Sequence, residues 1–153
     1  MLDAKRLFFE SALLPDGWRN SVLVEIDASG DIVSVTPDAK FSDGESPGGH
    51  AVPGMPNLHS HAFQRVMAGL AESGSSGSDF WSWREVMYRF ANQMSLEDLE
   101  SVTAQVYVEM LRSGYTAVGE FHYLHHQPDG SSYDDSALSS LTVLRTAARV
   151  GIG

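Results

Sequence analysis

Apolar residues alternate with polar ones over the first third of the chain and recur at helical spacing over much of the rest. Lys5 to Leu13 reads as a first strand and Pro15-Asp16-Gly17 as turn chemistry, and Val22, Val24 and Ile26 alternate through a second strand from Ser21 to Asp27. Ser29-Gly30 then turns the chain into a third strand carrying Ile32, Val33 and Val35. This pattern predicts an antiparallel β-meander. From Phe41 to His50 the residues are mostly Ser, Asp, Gly, Glu and Pro, which bury little, so the segment reads as a connecting loop in which His50 has no role.

Beyond that loop the periodicity changes. Ala51 to Leu58 is a short apolar stretch broken by Pro and Gly, consistent with a buried strand entered through a tight turn. Ala62 to Ala71 predicts a short helix, Glu72 to Asp79 a Ser/Gly-rich surface loop, and Phe80 to Asn92 a helix with Trp81, Trp83, Val86, Met87 and Phe90 as apolar members. The clearest helix follows: Ser95 is an N-cap residue, Glu97 and Asp98 suit the positive end of the helix dipole, and Leu96, Leu99, Val102, Val106 and Met110 recur at helical spacing up to Gly114. Tyr115 to Phe121 reads as a second buried strand. A last helix opens at Asp134 or Ser136, runs through Leu138, Leu141, Leu144 and Ala148, and closes at Gly151.

Strand, helix, strand, helix is the order of parallel βαβ units, whose sheets are covered on both faces. Two such strands do not complete a parallel sheet, and the sequence reaches Gly153 where a third strand is due. The pattern therefore predicts a chain cut off inside its own fold, with a small complete α+β domain as the alternative.

Composition narrows the function classes. A formal net charge of -10, with only 10 Lys and Arg spread along the chain, argues against a nucleic-acid partner. The lack of cysteine excludes disulfides and thiolate metal sites, leaving His, Asp and Glu as metal donors. Glu10 and Ser11 interrupt the apolar run at Leu7 to Phe9 short of signal-peptide length, and no stretch approaches the roughly 20 apolar residues of a membrane span. A cytoplasmic protein with no membrane partner is the expectation.

His59-Ser60-His61 is the sharpest chemical signal. Side chains two apart on a strand point to the same side, so an HxH at a strand end can offer two imidazoles to one ion, and strand ends are where an α/β barrel places its active site. Two histidines in a surface turn would look the same. His122, His125 and His126 are irregularly spaced in an expected loop, which favours structural hydrogen bonding over metal ligation.

The string from Val52 to Arg65, with Asn57-Leu58-His59-Ser60-His61 at its centre, closely resembles formimidoylglutamate deiminases of the amidohydrolase superfamily. Phe80-Trp81-Ser82-Trp83-Arg84 and Glu120-Phe121-His122-Tyr123-Leu124-His125-His126 do so as well. The resemblance implies an N-terminal β-rich (composite β-sandwich) domain over residues 1–50. Residues 51–153 would be the first βα units of a metal-dependent TIM-like (β/α)8 barrel, truncated at about the first third of such an enzyme. It implies that His59 and His61 are zinc ligands from the first barrel strand, with Fe2+ as the alternative ion because imidazole suits both. It further implies that Gln64 contacts substrate near the metal, that Arg84 pairs with a carboxylate of its glutamate part, and that Tyr123 hydrogen-bonds the same portion. The remaining ligands and the proton-transfer residue of the family, on later strands, have no counterpart in this sequence.

The implied reaction is hydrolysis of N-formimidoyl-L-glutamate to N-formyl-L-glutamate and ammonia, by a full-length enzyme that is a homodimer, as part of histidine breakdown; the fragment alone is expected to be inactive. Arg presents a planar fork suited to a carboxylate, and an acidic substrate needs such anchors in so acidic a chain. Each residue also has a plainer role: Arg84 as a solvated or tryptophan-stacked cation, Gln64 as a surface residue, Tyr123 as a core aromatic with its hydroxyl satisfied locally. Two other readings compete, a superfamily deaminase of a purine-like or other heterocyclic amine and a non-enzymatic β-rich binding module in which the HxH is incidental.

Overall fold

The computed structural model describes residues 3–41, 44–70 and 80–153, so the loop expected over Glu72 to Asp79 lies outside the described residues. The chain divides into two compact units between Pro53 and Gly54. No helix among the described residues is long and apolar enough to cross a membrane.

The first unit is a four-stranded sheet in the order β3-β2-β1-β4, formed by β1 (Lys5–Leu14), β2 (Gly17–Ile26), β3 (Ile32–Thr36) and β4 (His50–Ala51). The expected meander is present, with one correction: β2 begins at Gly17, not Ser21. Pro15 and Asp16 alone make the turn, so pairing resumes at once with Leu14 opposite Gly17 and continues through Leu13–Trp18, Ala12–Arg19 and Ser11–Asn20. Trp18, Arg19 and Asn20 are exposed and do not alternate, which hid the strand from a reading based on periodicity. The segment read as loop also ends in structure. His50 and Ala51 form β4, parallel to β1, and His50 Nδ1 lies 2.6 Å from the Ser11 hydroxyl.

The second unit carries β5 (Met55–Ser60), a 3₁₀ turn (Ala62–Met67), α1 (Phe80–Ala91), α2 (Leu96–Arg112), β6 (Tyr115–Glu120) and α3 (Leu138–Val150). β5 and β6 pair in parallel, as the strand-helix-strand order predicts, and α2 lies between them in sequence. Gly153 adds a further rung in the parallel pattern, its N–H donating to the Thr116 carbonyl and its carbonyl accepting from Val118.

α2 starts on a reciprocal cap: Ser95 accepts from the Asp98 N–H and the Asp98 carboxylate accepts from the Ser95 N–H. α3 starts instead at Leu138, after Ala137, with no side-chain cap; Asp135 accepts from the Ala137 N–H in the preceding turn. Gly151, at φ 88°, ends α3 in the left-handed conformation that a side chain would strain. The expected helix over Ala62 to Ala71 is tighter and shorter, closed by bonds such as Gln64 N–H to His61 O and Ala68 N–H to Arg65 O.

The core of this unit gathers Phe63, Met67, Met87, Met94, Leu99, Tyr107, Val143 and Ile152. Leu99, Thr103 and Tyr107 form a buried stripe along α2, which packs against α3 with its buried Ser139, Val143 and Thr146. β5 and the end of β6 are less buried than their apolar sequences suggested: Leu58 in β5 is 81% exposed, and Phe121, one residue beyond β6, 65%.

Gly54 sits against β6, where an added Cβ would lie 2.2 Å from Thr116 Oγ1. Gly54→Ala is therefore expected to destabilise the chain by about 1–3 kcal/mol, and Ser95→Ala by about 1 kcal/mol through the lost cap. Denaturant unfolding checks both, and a Gly54→Ala midpoint equal to the parent's would contradict the close approach.

Candidate metal centre at the ends of two strands

Parallel pairing brings the carboxyl ends of β5 and β6 side by side, and the predicted ligand pair stands there. His59 lies within β5 and His61 one residue beyond it. The intervening Ser60 is buried, and the two imidazoles project together from the opposite side of the strand. Their Nε2 atoms are 3.0 Å apart and their rings meet edge to face at 4.7 Å. His59 is anchored through its backbone N–H, which donates to Asn57 Oδ1.

His61 is oriented from the neighbouring strand. Its Nδ1 is 2.7 Å from the Phe121 carbonyl, which can only accept, so Nδ1 carries the proton and Nε2 presents a lone pair. The 3.0 Å contact is then a hydrogen bond from His59 Nε2–H to His61 Nε2.

This arrangement fits half of a tetrahedral site. Two imidazole nitrogens at about 2.0–2.1 Å from one zinc ion stand about 3.3 Å apart, close to the separation found. A backbone carbonyl on the far nitrogen is the usual second partner of a ligating histidine. Three or more donors are not gathered at any one place among the described residues, so this pair of imidazoles is what they offer to an ion.

Tyr123 and Gln64 join the same cluster. Gln64 Nε2 donates to the Tyr123 hydroxyl at 2.7 Å, and the Tyr123 ring packs edge-on against His61 and Phe63. Gln64 and His61 line a cavity of about 290 Å³ with Trp83; Tyr123 lines a second, of about 300 Å³, with Tyr88 and His125. Arg84 is not drawn into this cluster. Its guanidinium lies 5.7 Å from the Trp81 ring and 5.1 Å from that of Tyr88, and donates to the Tyr88 hydroxyl.

Of the other histidines, His122 bonds the Ser140 hydroxyl at 2.8 Å, and burial, helped by neighbouring His125, pushes its pKa below the ordinary imidazole value. The sequence offers Glu120, at the end of the second strand, as a support of the site without showing what it holds, and it does not place Tyr107. The Glu120 carboxylate accepts the Ala62 N–H at 2.7 Å. Burial, reinforced by that carboxylate, pushes the Tyr107 phenol above its ordinary pKa. Glu120 stood in a string already singled out, but nothing in its spacing pointed to a backbone partner 58 residues away.

Comparison with known proteins agrees with this geometry. Residues 50–151 match the model of the amidohydrolase family, and residues 5–49 match that of the formimidoylglutamate deiminase HutF N-terminal domain. A formimidoylglutamate deiminase of Pseudomonas aeruginosa is 53% identical over 148 residues, covering 96% of this chain and 33% of the relative. A 5-methylthioadenosine/S-adenosylhomocysteine deaminase of Haloarcula marismortui is 32% identical over 109 residues, covering 69% of this chain and 24% of the relative. Among solved structures, an amidohydrolase from Brucella melitensis superposes with a TM-score of 0.88 at 44% identity, covering 97% of this chain and 33% of that one. An adenosine deaminase from Xanthomonas campestris, determined with bound zinc, shares the fold at a TM-score of 0.67 and 18% identity, covering 97% and 32%. The chain thus spans about a third of the length of these relatives. Its β-rich N-terminal region followed by the opening βα units of a barrel, together with these matches, shows that the chain belongs to the amidohydrolase family and, within it, sides with the formimidoylglutamate deiminases.

Proposed function

We propose that this chain is the N-terminal third of a cytoplasmic, homodimeric, metal-dependent deiminase of histidine breakdown that hydrolyses N-formimidoyl-L-glutamate. Water adds across the formimidoyl C=N bond, the C–N bond to the terminal nitrogen breaks, and N-formyl-L-glutamate and ammonia leave. Its β-rich domain, expected over residues 1–50, runs on through β4 to Pro53, and Gly54 onward opens its barrel. The observation that carries this reading is the 53% identity to a formimidoylglutamate deiminase along nearly the whole chain.

His59 and His61 are the residues that hold the ion, Zn2+ or Fe2+, through nitrogens already 3.0 Å apart. A divalent cation held there supplies Lewis acidity to the hydrolysis. His61 keeps its lone pair aimed because Phe121 retains the proton on the other nitrogen. Gln64, bonded to Tyr123 beside His61, contacts the substrate near the metal, and Tyr123 hydrogen-bonds its glutamate portion. Arg84 supplies a forked cation for a glutamate carboxylate, exchanging its bond to the neutral Tyr88 hydroxyl for a charge-assisted pair.

Two imidazoles do not by themselves orient a water for attack, so the 153-residue chain is expected to release no ammonia from N-formimidoyl-L-glutamate. The complete enzyme is expected to release it, and to lose both bound metal and activity in His59→Ala and His61→Ala. Metal analysis with an ammonia assay reads all three; ammonia release by the short chain would contradict the division of the site.

The stacking of Arg84 on Trp81 and Tyr88 favours a second reading, in which the substrate is a heterocyclic amine that needs no carboxylate clamp. Arg84→Met separates the two. For the acidic substrate, losing a hydrogen-bonded charge partner worth about 1.5–3 kcal/mol lowers kcat/KM about 10- to 100-fold. A change of less than about threefold would favour the heterocycle.

A further inference from the structure

Three successive residues at the end of β5 are each held by the end of β6. The Phe121 N–H donates to the Ser60 carbonyl at 2.9 Å, His61 Nδ1–H donates to the Phe121 carbonyl at 2.7 Å, and the Ala62 N–H donates to Glu120 Oε1 at 2.7 Å. The first two bonds use main-chain groups of Phe121, just past β6, and survive any side chain there. The third depends on a side chain, and only a residue long enough to reach across from β6 can make it.

Ala62 is 3% exposed and opens the 3₁₀ turn, so its N–H is one of the donors that a helical turn leaves without an internal partner. The His61 side chain does not cap that turn, because its ring is bonded to Phe121. Without Glu120 this N–H would be buried and unpaired, a cost relieved only by moving the backbone directly after His61. Such a movement turns the His61 ring, since Cα and Nε2 are joined through two rotatable bonds and the ring must meet both the Phe121 carbonyl and His59. The other carboxylate oxygen, Oε2, is also buried and makes no hydrogen bond.

We infer that Glu120 is a positioning residue for the His59–His61 pair: by holding the Ala62 N–H it fixes the turn that aims His61 Nε2 at the site of the ion. This rests on the reading that the pair holds the metal. Glu120 itself is not a ligand, and the pair's own atoms are unchanged when it is replaced.

The test uses the intact enzyme that carries this chain, with Glu120→Leu, Glu120→Asp and Glu120→Gln. Zinc affinity is read by competition with a chromophoric chelator, and deuterium uptake at Ala62 is read in the metal-stripped protein. Glu120→Leu is expected to weaken zinc binding about 10- to 100-fold, the range for lost partners around metal ligands, and to speed exchange at Ala62. Glu120→Asp keeps the charge but falls one methylene short, and is expected to lose affinity as well. Glu120→Gln keeps an acceptor at the right reach and is expected to bind within about threefold of the parent. If Glu120→Leu fails to fold, the order of Asp and Gln decides: Asp weaker than Gln supports positioning, and equal affinities overturn it. Parent-like affinity and exchange in Glu120→Leu overturn it directly. A parent enzyme with no zinc site would overturn the metal reading instead, while exchange at Ala62 would still decide whether Glu120 fixes the turn.

Discussion

The hydrogen bond from the Phe121 N–H to the Ser60 carbonyl lies at the point where β6 meets the end of β5. Parallel strands do not connect through a short turn; they need a crossover, here the 3₁₀ turn, α1 and α2. The crossover explains why the buried stripe of α2 carries Leu99, Thr103 and Tyr107 and why Phe63 and Met67 meet Met87 in one core. It also explains why residues some 60 positions apart, His61 and Phe121, share a hydrogen bond. Slipping the register by one residue would turn the opposite faces of both strands toward the helices and separate the imidazoles from their supports.

Once the strands are paired, the chemistry at their ends follows from few degrees of freedom. Alternation puts His59 and His61 on one side, and the Phe121 carbonyl selects the tautomer that leaves a lone pair on His61 Nε2. The Gln64–Tyr123 bond then closes a polar edge beside the pair. What the described residues hold is a pair of imidazoles with their orienting partners in place, and on the proposed reading this is half of a ligand set, in a chain that spans about a third of the relatives it matches. Arg84, resting on two aromatic rings instead of in this cluster, is the member whose role depends most on substrate.

Much of this was legible in the residues because the signals were local. Val22, Val24 and Ile26 declare a strand by alternation, Ser95 and the apolar spacing from Leu96 to Met110 declare α2, and His59-Ser60-His61 declares two same-side donors. The misreadings arose where a distant partner decides. Gly17 to Asn20 joined β2 because a two-residue turn forces pairing onto polar residues, and His50 entered a strand because β1 offered a free edge. The apolar character of β5 and β6 suggested burial on both faces, yet Leu58 in β5 and Phe121 just past β6 are exposed. The partner of Glu120 went unread for the same reason, since it is a main-chain N–H that no pattern of side chains can announce.

The most direct measurement of the central claim, that the joined ends of β5 and β6 form the metal centre, is anomalous diffraction at the zinc edge from crystals of the intact enzyme. The account predicts a peak about 2.0–2.1 Å from Nε2 of both His59 and His61, with His61 Nδ1 still bonded to the Phe121 carbonyl. A peak ligated elsewhere, or a zinc-loaded enzyme whose His59 and His61 nitrogens remain bonded to each other, would contradict it.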